Sequence, residues 1–421
     1  MTARALVLWI VLLGATRIDL LAGRGPLVLT PFLSLSPVLA LIAAQAVNQR
    51  PSKGRLPPSA AGFVIALTGL VILLTASSLL AYDLARSAGR QALLITQLFL
   101  VTVVSFLLLD RVDRTDILVR GARWGIVAVA ASDLIQLVVY FVQPAWLTGG
   151  LLDLSPGLYF GVIPRLTGLS TDPNLGGLTT VAFTWLIWRF GPPGASTRRL
   201  VMVGALCVIL TLSRSAALAG TVALVTSALG GRSLRVTPGI VGAAALAVLM
   251  LLVPYLVFPP GADALDALGR MLGTRFTVGE GSSREHAQLI ARGVEVATSD
   301  LKHLLVGIGY GNAYLETQDF FPGNDYGNFH SLFVTIFAEA GIFAAVWSIG
   351  IFVVAFRRGP LFRPVTGALV VFNLFQQSHT EPVMWLILCL AWVAGDSEVL
   401  SPDGETERST MATPLPGFDS T

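Results

Sequence analysis

Apolar runs of about twenty residues follow one another along almost the whole chain, and that repetition leaves few folds open. A helix needs roughly 20 apolar residues to cross the hydrocarbon of a bilayer. Such runs lie near Ala5–Leu21, Pro26–Val47, Ala60–Ala81, Gln91–Leu109, Trp124–Val142, Leu175–Phe190, Pro238–Phe258 and Ser331–Phe356. Two further regions read as apolar hairpins. Leu200–Leu229 is interrupted by Ser213-Arg214-Ser215, and Pro364–Ala394 by His379-Thr380-Glu381-Pro382. Charged residues make up only 13% of the sequence, against about a quarter in a soluble domain. The deficit is spread along the chain, so the expected fold is an all-α, polytopic membrane bundle. The net charge of +3 does not argue for nucleic acid.

Basic residues set the topology, because cytoplasmic loops are enriched in Lys and Arg. They cluster at Arg50/Lys53/Arg55, Arg111/Arg114/Arg120/Arg123, Arg189/Arg198/Arg199, Arg232/Arg235 and Arg357/Arg358/Arg363. Placing all of them inside requires two crossings between Arg199 and Arg232, and two more in Pro364–Ala394. The expectation is about twelve transmembrane helices with both termini cytoplasmic. The N-terminal run resembles a signal peptide, but no clear small-x-small cleavage site follows, so it reads as a retained span. The expected layout is membrane helices with short loops over 1–258, including an outer loop at 145–174. A large extracytoplasmic loop follows over 259–330, then C-terminal helices over 331–395 and a disordered cytoplasmic tail over 396–421.

The large loop is the longest stretch that cannot lie in a membrane. It carries Arg270, Arg275, Arg284 and Arg292, with His286, His303 and His330. Ser282–Ser299 has apolar residues at helical spacing, with Ser282 or Ser283 as N-cap and Glu285 and His286 in the first turn. A glycine-rich turn follows at Gly307-Ile308-Gly309-Tyr310-Gly311. It lacks the Gly-Lys-Ser/Thr of a phosphate-binding P-loop. Cys207 and Cys389 sit in apolar runs as buried thiols, with no zinc spacing.

Several polar residues reach the outer face in this topology. Arg165 precedes Asp172-Pro173-Asn174, where Asp172 can cap the next helix and Pro173 can occupy its first turn. The bland reading is a capped helix with an anchoring arginine; the functional one is an anion site beside a helix N-terminus. Arg214, between two short apolar helices, is costly unless it snorkels to water or binds a substrate such as a diphosphate. Arg284 in the loop helix is a solvated residue or a second anion ligand, and Arg275 shares its loop. His330 opens an apolar span, and a neutral imidazole suits a general base for a sugar hydroxyl. His379 and Glu381 form a weaker pair at the last outer turn. Glu339, inside a span, must be neutral or paired to be tolerated.

Taken in order, these motifs resemble the bacterial O-antigen ligase/polymerase family. The resemblance rests on Arg165-x-x-Gly168 with Asp172-Pro173-Asn174-x-Gly176, Leu212-Ser213-Arg214-Ser215-Ala216, Ser283-Arg284, Gly307–Gly311, and His330 ahead of Ala338-Glu339-Ala340-Gly341-Ile342. It runs from about Arg165 to Gly341; before that, only apolar helices are shared. The family usually has His-Asn where this chain has His330-Ser331, and a tryptophan after the loop helix's Ser-Arg.

The resemblance implies an inverting, metal-independent glycosyltransferase of the cytoplasmic membrane, active on its outer face and needing no cofactor. It implies an undecaprenyl-diphosphate-linked glycan donor, a glycan or lipid-linked acceptor, and polysaccharide-assembly partners in the envelope. Arg214, Arg284 and His330 would be catalytic. Arg165, Asp172, Asn174, Arg275 and His379 would bind substrate. Two other classes compete: a transporter or flippase for a lipid-linked or anionic precursor, and a polytopic scaffold. Polymerase and ligase use the same donor chemistry and are not separated by these residues.

Overall fold

The computed structural model describes residues 2–15, 58–111, 113–142, 156–159, 163–229, 281–320 and 327–393. The expected spans Pro26–Val47 and Pro238–Phe258, the loop up to residue 280 with Arg275, and the tail lie outside these residues.

The described chain is all-α apart from one small hairpin. Its helices are α1 (Thr2–Leu12), α2 (Pro58–Leu79), α3 (Leu84–Leu109), α4 (Arg114–Val142), α5 (Pro173–Phe190), α6 (Ala195–Leu210), α7 (Arg214–Leu229), α8 (Gly281–Thr298), α9 (Leu301–Val306), α10 (Leu332–Arg358), α11 (Arg363–Phe375) and α12 (Pro382–Val393). Strands β1 (Gly157–Tyr159) and β2 (Ile163–Arg165) pair antiparallel between α4 and α5. The apolar pattern did not announce this hairpin, because three-residue strands carry no readable alternation.

Among the described residues, four helices, α2, α3, α4 and α10, are long and apolar enough to cross a membrane. At about 1.5 Å per residue, even α2 spans about 33 Å, against about 30 Å of hydrocarbon. Ile65 and Ile72 on α2, Phe99 on α3, Leu134 on α4 and Phe343 on α10 are exposed, as lipid-facing side chains must be. The protein is a multi-pass membrane protein.

Both interrupted runs are pairs of helices joined by a turn. Helices α6 and α7 meet at Thr211–Ser213, and α11 and α12 at Gln376–Glu381. The second pair is not lipid-facing throughout, since every residue of α12 is buried. Its described residues span about 18 Å. It sits among α2, α3, α10 and α11, and protein rather than lipid surrounds its apolar surface.

The described end of the large loop is firmly seated. Helix α8 begins at Gly281, so Ser282 and Ser283 lie inside it rather than capping it. Its apolar face packs on α10, where Val296, Ala297, Ile308, Ala313, Phe329 and Ala338 form a second small core. The α2–α3 turn grips the same segment. Ser87 Oγ donates to Tyr310 O at 2.6 Å, Tyr314 Oη donates to Asp83 Oδ2 at 3.1 Å, and the Arg86 guanidinium lies 3.8 Å from the centre of the Tyr314 ring.

Candidate functional site

Two helix N-termini lie side by side beneath the β-hairpin. At the first, Asp172 accepts from Asn174 N at 2.7 Å and Leu175 N at 3.1 Å, and Pro173 fills the first turn of α5. Asp172→Ala should cost about 1 kcal/mol of stability by exposing those amides. Thermal unfolding in detergent checks this; an unchanged midpoint would show that the cap contributes nothing.

At the second, the chain turns between α6 and α7. Leu212 has φ 52°, a left-handed conformation uncommon outside glycine. Ser213 Oγ then accepts from Ala216 N at 3.1 Å, and Arg214 is the first residue of α7. A Cβ on Gly177 would lie 2.5 Å from Ala216 Cβ, so α5 and α7 touch here through a glycine. Ser213 Oγ also donates to Asn174 Oδ1 at 2.7 Å. Arg165, at the end of β2, donates from Nη2 to Asn174 Oδ1 at 3.4 Å and from Nε to Thr211 O at 3.3 Å. Arg165, Asn174 and Ser213-Arg214 thus occupy one patch, where two helix dipoles and two guanidinium groups favour an anion.

His330 reaches the same patch through His286 of α8. The two imidazoles stack with centroids 4.1 Å apart and planes at 27°, and Arg214 acts electrostatically on His286. His330 has φ 53°, a strained conformation for a non-glycine residue. Its amide donates to Asn328 Oδ1 at 2.8 Å, which holds the turn. Its ring hydrogen-bonds Gln376. Burial is the main reason the His286 pKa falls to about 4, with the His330 and Arg214 charges adding to it. Burial also lowers the His330 pKa, partly opposed by Gln376. Both imidazoles are therefore neutral near pH 7.

Residues 200–347 match the family model described as O-antigen ligase. The chain carries a domain of the O-antigen ligase family. The matched segment includes Arg214, His286 and His330; Arg165, Asp172 and Asn174 precede it. No curated protein matches the chain.

Within this ligase-family domain, Arg284 is exposed on α8. It is two residues from His286, so about 200° around the helix; the residue stacked on His330 is His286. His379, beyond the domain, is buried in the α11–α12 turn. Its ring lies 5.9 Å from that of Tyr310, and its carbonyl accepts from Trp385 Nε1 at 2.7 Å. These contacts join it to the Tyr310 side of the bundle. Its neighbour Glu381, also buried, interacts electrostatically with Asp172. His286 and Gln376 were not singled out from sequence as site residues. His286 carried a signal, its place in the first turn of the loop helix, whereas Gln376 carried none.

The glycine motifs of the ligase-family domain have a structural role. Helix α10 breaks at Gly341 (φ 78°, ψ 179°). The break frees the carbonyls of Ala338 and Glu339, which accept from Ile308 N at 3.0 Å and Gly309 N at 2.9 Å. The Glu339 carboxylate accepts from Ala313 N at 2.9 Å. Gly307–Gly311 and Ala338–Gly341 are thus two halves of one joint that fixes the loop to α10, and Glu339 ties it together.

Proposed function

We propose that this protein transfers a glycan from an undecaprenyl-diphosphate donor to an acceptor hydroxyl at the outer face of the cytoplasmic membrane. It does so as a polymerase or ligase with inversion and without a metal. The reading rests on the hydrogen bonds Arg165–Asn174–Ser213, on Arg214 next to Ser213 acting electrostatically on His286, and on the stack of His286 on His330. The family match favours it over transport.

Arg214 and Arg165 hold the diphosphate at the two helix N-termini. The acceptor oxygen attacks the anomeric carbon from the side opposite the leaving group. The new C–O bond forms as the bond to the diphosphate oxygen breaks, and the acceptor proton passes to His330. Undecaprenyl diphosphate leaves with the bonding electrons, and the guanidinium groups stabilise its charge. A diphosphate is already a good leaving group, so positioning and charge stabilisation suffice. The expectation that the basic loops face inward supports an outer position for this patch.

The test is transfer in proteoliposomes supplied with lipid-linked glycan and acceptor. His330→Ala should lower turnover by about 10²–10⁴-fold, the usual range for a positioned general base. Wild-type rates in that variant would sink the assignment. The pH profile is a second readout. The depressed pKa keeps the His330 base neutral, so activity should persist below the ordinary histidine value of about 6.5. A half-maximum at 6.5 would contradict it. Stability follows the same sign. The contribution of these neutral imidazoles is complete above about 6.5 and is lost as pH falls through the folded values, about 4 for His286.

A further inference from the structure

One buried polar cluster has no part in the chemistry above. On α4, Ser132, Asp133 and Gln136 are all buried, at 4%, 3% and 0% exposure. They fall at i, i+1 and i+4, and all three side chains grip the peptide groups of Thr167-Gly168. Asp133 Oδ1 accepts from Gly168 N at 2.9 Å. Ser132 Oγ and Gln136 Nε2 donate to Gly168 O at 2.7 and 2.6 Å. Gln136 Oε1 accepts from Thr167 N at 3.0 Å. Gly168 has φ 59°, and a Cβ there would lie 3.0 Å from Val129. Both sides of one left-handed turn are therefore held by side chains of a membrane-spanning helix.

A polar side chain inside a span is expensive unless it is satisfied. Four such bonds directed at two adjacent residues exceed what helix packing alone requires. The turn they hold lies three residues after Arg165 and four before Asp172. It therefore sets the separation between the Arg165 guanidinium and the N-terminus of α5. We infer that Ser132, Asp133 and Gln136 are positioning residues for the donor diphosphate, acting through the Gly168 turn on Arg165 and Asn174. The inference rests on the proposed function for its ligand, while the clamp itself stands on hydrogen bonds.

The experiment uses the full-length protein in nanodiscs with three readouts: hydrogen–deuterium exchange over residues 166–171, binding of undecaprenyl diphosphate, and separate KM values for donor and acceptor. Gln136→Ala should raise exchange in that segment and raise the donor Kd and KM by about tenfold, with the acceptor KM unchanged. Ser132→Ala leaves Gln136 on the Gly168 carbonyl and should have a milder effect. Asp133→Asn keeps an acceptor for Gly168 N and should remain near wild type where Asp133→Ala does not. A donor-selective loss with conservative rescue is not what general destabilisation would give. Unchanged exchange in Gln136→Ala, or faster exchange with unchanged donor binding, overturns the inference. A wild-type protein that does not bind the lipid diphosphate overturns the functional reading itself, and the exchange data then identify which of the two failed.

Discussion

Arg214→Ala is expected to lower glycan transfer by about 10²–10³-fold, the usual loss when one preorganised donor to a developing charge is removed. The same variant should be as stable as wild type or slightly more so. Arg214 opens α7, and a cation at a helix N-terminus opposes the macrodipole by about 0.3–1 kcal/mol. Alanine is also the better helix former. The turn before it carries Leu212 at φ 52°, a second local cost. A residue kept against these preferences is held for its charge rather than for the helix. Arg214→Lys should recover part of the rate, because it keeps the charge and loses the bidentate fork. Initial rates and melting midpoints on the same detergent preparation decide the matter. Activity and midpoint falling together would make Arg214 a structural residue.

The second large effect is on stability. Gly341→Ala is expected to cost at least about 3 kcal/mol, combining a backbone region open essentially to glycine with the loss of bonds to buried amides. A Cβ at Gly341 would lie 2.1 Å from Leu305 O and 2.6 Å from Val306 N, and one at Gly307 would lie 2.2 Å from Glu339 C. The two segments cross with backbone against backbone, so the neighbouring atoms are not a flexible side chain that can swing aside. The variant must either open the joint or continue α10 straight through it. Either outcome withdraws the Ala338 and Glu339 carbonyls from Ile308 and Gly309. Limited proteolysis of the 281–320 segment should accelerate along with the fall in melting midpoint. A variant as stable as wild type, with the segment still protected, would show that the close approach is not what holds the loop.

Much of the helix order was legible in the sequence, for local reasons. The apolar runs at Ala60–Ala81 and Trp124–Val142 emerge as α2 and α4, and the two interruptions mark turns, at Thr211–Ser213 with Arg214 opening α7 and at Gln376–Glu381 with Pro382 opening α12. Asp172-Pro173 gave the start of α5 because a cap and a first-turn proline act within four residues. The expected cap of α8 was placed too late, since Ser282 and Ser283 already lie within the helix. Within the candidate site, Arg165, Asn174 and Arg214 could be nominated one by one as charges or caps beside helix starts.

Tertiary structure alone decided which of those residues meet. His286 stacks on His330 because α8 lies along α10 across 44 residues of chain, and no sequence period encodes that register. The Gly307 and Gly341 motifs explain each other only when two backbones cross. The grip of α4 on Gly168 joins residues more than thirty apart. Helices form from hydrogen bonds within a few residues, so a sequence can specify them piece by piece. Convergence depends on long-range packing among helices that, read singly, are equally apolar.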